Sequence, residues 1–135
     1  MSENKPGAGA RAPMDAEAVA EYHAHVYYDP ATTRGKAERL RERIAEKFPD
    51  AQLGRWHDEH VGPHPGATYQ VEFPAAMLAS FVPWIMLNRD GLNVLLHPET
   101  GDGYLDHAVY AAWFGQSLPL KLEVFGKQGT GAGGR

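Results

Sequence analysis

The chain has 135 residues, 22% of them charged, a formal net charge of −4 and no cysteine. That length suits one domain of ordinary size. The missing thiols exclude disulfides, thiolate zinc sites, iron–sulfur clusters and cysteine nucleophiles, so any metal must sit on nitrogen and oxygen.

Residues 1–17 lack both apolar periodicity and the apolar core of a signal peptide, and residues 127–135 are glycine-rich. Both ends are expected to be flexible, with a single domain over 18–126 between them. The longest apolar stretch is broken by Pro74 and Pro83, so no segment is expected to span a membrane and the protein is expected to be cytoplasmic. Its basic residues are spread out instead of forming a stripe, which argues against a nucleic-acid partner.

Residues 21–28 alternate as a strand, with Tyr22, Ala24, Val26 and Tyr28 on one face and His23, His25 and Tyr27 on the other. A helix follows over 32–48, with Ala37, Leu40, Ile44 and Phe48 at helical spacing and Pro49 beyond its end. AQLGRWH (51–57) reads as a short second strand, HDEHVGPHPGA as a polar loop stiffened by Pro63 and Pro65, and TYQVEF (68–73) as a third strand. AAMLASFVPWIMLN (75–88) reads as a heavily buried helix that Pro83 should kink or interrupt. LNVLLHP (92–98) is a fourth strand, with His97 on the face opposite Val94 and Leu96. A turn, a short helix around YLDHAVYAAWF (104–114) and a final strand LPLKLEVF (118–125) complete the chain.

The order βαββαβ implies a ferredoxin-like α+β sandwich with antiparallel strand order 4-1-3-2, extended by a C-terminal helix and strand. The apolar sides of strands one and three should face the helices, which turns His23, His25, Tyr27, Gln70 and Glu72 onto the other face. Strand four runs antiparallel to strand one, so His97 should arrive beside His23 and His25. Three neutral imidazoles on one patch are good ligands for iron, zinc, copper or nickel and leave positions for water or substrate. His23, His25 and His97 are therefore the candidate metal ligands, with Glu72 able to replace one of them.

The loop adds His57, His60, His64 and Arg55. His57 and His64 are candidates for ligation or proton transfer, whereas His60, between Glu59 and Val61, reads as surface. Arg55 suits either a substrate carboxylate or an ordinary surface ion pair. Tyr27 and Gln70 share the histidine face and are candidate substrate contacts. His107 is either a proton donor or part of a helix surface, and Asp102 and Asp106 either orient imidazoles or serve the turn and the helix start.

Together YHAHVYYDP, GRWHDEHVGPHP, VPWIMLNRDGLNVLLHPETGD and DHAVYAAWFGQSLPL resemble the DOPA 4,5-dioxygenase family, over nearly all of 21–122 and in the same order. The resemblance implies an extradiol catechol dioxygenase using non-haem Fe(II), with L-DOPA as the substrate behind the family name and O2 as co-substrate. It carries over His23, His25, His57, His64 and His97 without fixing which are ligands. Zinc or nickel also suits three nitrogens. The alternative is a module that binds a metal or an aromatic ligand on the same face without turnover, or a histidine face buried in a dimer. A homodimer is expected, with LPLKLEVF supplying part of the contact.

Overall fold

Alternation in Glu21–Tyr28 builds β1, the middle of the sheet, which is buried on both faces from His23 onward. In the computed structural model, residues 12–126 are described. Segments 1–11 and 127–135, on which much of the expectation of flexible ends falls, lie outside the described residues. The remaining elements are α1 (Arg34–Lys47), β2 (Gln52–Leu53), β3 (Ala67–Pro74), α2 (Leu78–Asn88), β4 (Val94–Pro98), α3 (Gly103–Ala108) and β5 (Ala112–Phe114). The architecture is α+β, and its five strands pair antiparallel in the order β2-β3-β1-β4-β5. From the opposite edge the same order reads 5-4-1-3-2.

One sheet face packs on the helices. Ala24, Val26, Tyr69, Val71, Phe73, Val94 and Leu96 meet Ala37, Leu40 and Ile44 of α1 and Phe81 and Ile85 of α2 in a single core cluster. Each fully buried Leu, Ile or Phe there contributes about 1.5–3 kcal/mol of transfer free energy. The registers carry the histidines to a common place, because His23 pairs with His97 of β4 and Glu72 of β3, and His25 pairs with Leu95 and Gln70.

Three features depart from the sequence reading. Helix α2 passes through Pro83 without interruption. The proline removes only the bond to the Ala79 carbonyl, and Ala79 is exposed, so water can take its place. The helix is also not heavily buried: Phe81 and Ile85 are, while Met86 is 54% and Leu87 85% exposed, because a single stripe faces the sheet.

The third departure is at the C-terminus, where LPLKLEVF forms no strand. Its residues 122–125 are a 3-10 turn, and β5 comes instead from Ala112–Phe114, inside the segment expected to be helical. Pro119 lacks a ladder donor, Lys121 N bonds the Pro63 carbonyl at 2.7 Å, and β5 occupies the outer edge of β4. The segment thus offers no strand to a second copy. No helix among the described residues is long and apolar enough to cross a membrane.

Candidate metal centre and active site

The sheet face away from α1 and α2 is closed over by two segments together with α3, and a cavity of about 150 Å³ lies beneath them. Among the described residues, six histidines line it: His23, His25, His57, His64, His97 and His107. Thr68 and Gln70 of β3 continue the wall, and Val61, Gly62 and Pro63 lie over it.

The loop after β2 folds back because both its ends are held. His57 exchanges two 3.0 Å backbone bonds with Thr68, which returns the chain to β3. Asp58 accepts from the Tyr28 hydroxyl at 2.6 Å and from Arg34 Nε at 3.1 Å. Gly62 takes a positive φ of 56°, a turn that then lets His64 N bond Val61 O at 3.0 Å. The second cover is the C-terminal segment, whose Phe125 is 2% exposed with its ring 4.9 Å from that of His107.

His25 Nε2 and His97 Nε2 stand 3.1 Å apart. His97 Nδ1 donates to the Pro98 carbonyl at 2.8 Å, which leaves its Nε2 as a lone pair aimed at His25. Two imidazole nitrogens bound at right angles to one ion at about 2.1 Å would stand about 3 Å apart, so this pair already has ligand spacing. His23, His25 and His97 each offer a nitrogen within 4.8 Å of the others, and His25, His64 and His107 do the same. His25 belongs to both triads.

His23 is oriented by acidic neighbours, its Nε2 lying 2.9 Å from Glu21 Oε2 and its Nδ1 3.6 Å from Glu99 Oε1. Glu72 falls with Glu21 and His23, while Glu99 and Asp106 fall with His97. Carboxylates beside imidazoles are the usual outer partners of a metal site. Asp106 is itself held by Thr100, through N at 2.9 Å and Oγ1 at 2.6 Å, and Asp102 caps α3 by accepting from Leu105 N at 3.0 Å.

Burial sets the protonation states. It lowers the His25 imidazole well below its ordinary range, with His64, His97, His107 and His23 adding to the effect. His64 is pushed down to about 3 by burial and then by His107 and His57. His97 is pushed down to about 3 by burial and His107, partly opposed by its bond to Pro98. All three rings are neutral at pH 7, the form that binds metal.

Two candidate residues, Arg55 and Tyr27, stand away from the cavity, and His60 is on the surface as its sequence reading expects. Arg55 is exposed. Tyr27 lies on the histidine face but behind it, with its hydroxyl 2.5 Å from His64 Nδ1 and its ring stacked on Trp113 at 5.7 Å. Thr68, Glu21 and Glu99 went unread in the sequence, although each sits two residues from a group that was recognised and so shares its face.

The protein is 35% identical over 122 residues to an uncharacterized 21.2 kDa protein of Botryotinia fuckeliana, covering 83% of this chain and 67% of that one. It is 31% identical over 125 residues to the DOPA 4,5-dioxygenase of Amanita muscaria, covering 87% of this chain and 54% of that one. The chain thus spans about two thirds and about half of these relatives. The crystal structure of a candidate dioxygenase from Nostoc punctiforme is similar with a TM-score of 0.79 and 50% identity, over 82% of this chain and 95% of that one. With the family profile matching residues 22–124, the chain belongs to the Dopa 4,5-dioxygenase family.

Proposed function

We propose that the protein is an extradiol ring-cleaving dioxygenase that opens a catechol such as L-DOPA with O2, using Fe(II) held by His23, His25 and His97 on a ferredoxin-like framework. The strand order, read as 5-4-1-3-2, supports the framework. The observation that carries the reading is the His25–His97 pair, two neutral buried imidazoles with Nε2 atoms 3.1 Å apart. The name of the Amanita muscaria relative supports the substrate class.

These donors fit a divalent metal: burial keeps the His25 and His97 rings uncharged, one lone pair is fixed by a backbone carbonyl, and carboxylates stand behind the cluster. Bound there, Fe(II) would supply a Lewis acid for two adjacent catechol oxygens and electrons for O2. Zinc or nickel would occupy the same nitrogens without that redox chemistry.

The remaining residues handle protons and orientation. His57, at the β3 end of the cavity, is half-buried and placed to take a catechol proton. His64 and His107 form a second triad with His25, where His64 can hydrogen-bond a reacting oxygen and His107, its Nδ1 held by the Gly103 carbonyl, offers a lone pair at Nε2. Gln70 and Thr68 border the ring's path, and Pro63 and Phe125 exclude water from either side.

Anaerobic reconstitution with Fe(II), followed by L-DOPA or simple catechols in air, tests the proposal. One O2 consumed per catechol with a yellow semialdehyde product is the expected result. Bound iron without oxygen uptake for any catechol would favour a binding module instead.

A further inference from the structure

Hydrogen bonds around the two triads sort lone pairs from protons. His97 Nδ1 faces the Pro98 carbonyl and His107 Nδ1 the Gly103 carbonyl, both at 2.8 Å. A carbonyl only accepts, so both rings carry their proton on Nδ1 and keep Nε2 as a lone pair.

His64 differs. Its Nδ1 faces the hydroxyl of Tyr27 at 2.5 Å, and a phenol can either donate or accept. Tyr27 is 5% exposed, and His64 is the partner its hydroxyl reaches. If the imidazole donated, the phenolic hydrogen would be buried without an acceptor, at a cost of about 1–3 kcal/mol. Tyr27 therefore donates, and the neutral His64 ring carries its proton on Nε2. The hold has a firm base, because Tyr27 belongs to the central strand and stacks on Trp113, whereas His64 rides on a loop.

We propose that Tyr27 is a positioning residue that fixes His64 as its Nε2–H tautomer, so that His64 presents a hydrogen-bond donor, not a metal-binding lone pair, beside His25 and His107. This rests on the dioxygenase reading and deepens it: His64 serves an anionic oxygen of substrate or co-substrate, and the metal falls to the triad of His23, His25 and His97. The tyrosine acts entirely through the imidazole.

Nitrogen-15 NMR of the metal-free protein labelled at histidine, with the His64 signals assigned from His64→Ala, reads the tautomer directly. Protonated Nε2 on His64, with protonated Nδ1 on His97 and His107, is expected; protonated Nδ1 on His64 overturns the proposal. This measurement does not depend on turnover, so it stands even if no catechol is cleaved. In the iron-loaded protein, Tyr27→Phe should lower kcat about ten- to hundredfold with KM and iron stoichiometry unchanged. In a His64→Ala background the same substitution should have no further effect. A full additional loss in that background would show Tyr27 acting on its own and overturn the proposal.

Discussion

Lowering the pH of the metal-free protein from 7.5 to 5 should remove a large part of its stability. His64 and His97 have an ordinary value of 6.5 that the fold depresses to about 3. Above 6.5 neither the folded nor the unfolded state binds these protons, and the full stability is present. Between 6.5 and 3 the unfolded chain takes them up while the native rings stay neutral, so stability falls as the pH falls through that window. At pH 5 linkage gives about 2 kcal/mol for each ring and about 4 kcal/mol for the two, against a typical total of about 5–15 kcal/mol. His25 shifts in the same direction. Urea titrations at both pH values, in the presence of a chelator, should show the midpoint moving down by about 2 M if the slope is about 2 kcal/mol per molar. The drop should be smaller by about 2 kcal/mol in His97→Leu, which deletes one of the titrating rings. Equal midpoints at pH 7.5 and 5 would refute the neutral buried cluster.

Other consequences bear on the metal and the fold separately. His25→Ala and His97→Ala should each lose stoichiometric Fe(II) by elemental analysis while keeping a cooperative melt; unchanged iron in either removes that residue from the ligand set. Fe(II) at about one hundred times its Kd should stabilise the native protein by about 2.7 kcal/mol, seen as a raised Tm that His25→Ala abolishes. Gly115→Ala should cost about 1–3 kcal/mol in denaturant titration, because Gly115 has a φ of 92° and an added methyl would meet Asn93 Oδ1 and, at 2.7 Å, Arg89 Nη1. Leu87→Gln, at a position 85% exposed, should change stability by less than about 0.5 kcal/mol, and a larger loss would mean that α2 is covered in solution.

Much of the site could be read from the sequence because its rules are local. A period of two puts His23 and His25 on one face, and the antiparallel relation of β1 and β4 brings in His97, which pairs directly with His23. What stayed hidden depends on competition between distant segments. Both AAWF and LPLKLEVF have strand-like composition, and only the edge of β4 decides between them. Helix α2 is apolar all round, so its sequence does not say which stripe meets the sheet. The Tyr27 hydroxyl meets a histidine 37 residues away on a loop whose path is set by His57 bridging to Thr68. Arg55 has the right chemistry for a carboxylate, but that bridge leaves it on the outer side.

The histidine cluster works against the fold that carries it. His25 and His97 occupy inward positions on central strands, each 5% exposed or less, where Leu or Val would add transfer free energy and would not titrate. Instead these sites hold rings whose neutral state is maintained by burial, and the Pro98 carbonyl fixes the lone pair of His97 at Nε2. A cation held by such lone pairs would add its binding free energy to that of folding. The two covers follow from the same requirement. Without the Pro63–Lys121 bond and the Phe125 ring over His107, water would reach the imidazoles and raise their basicity. Closing the face with a loop and a 3-10 turn in place of a further strand leaves a cavity of about 150 Å³ beneath Val61, Gly62 and Pro63.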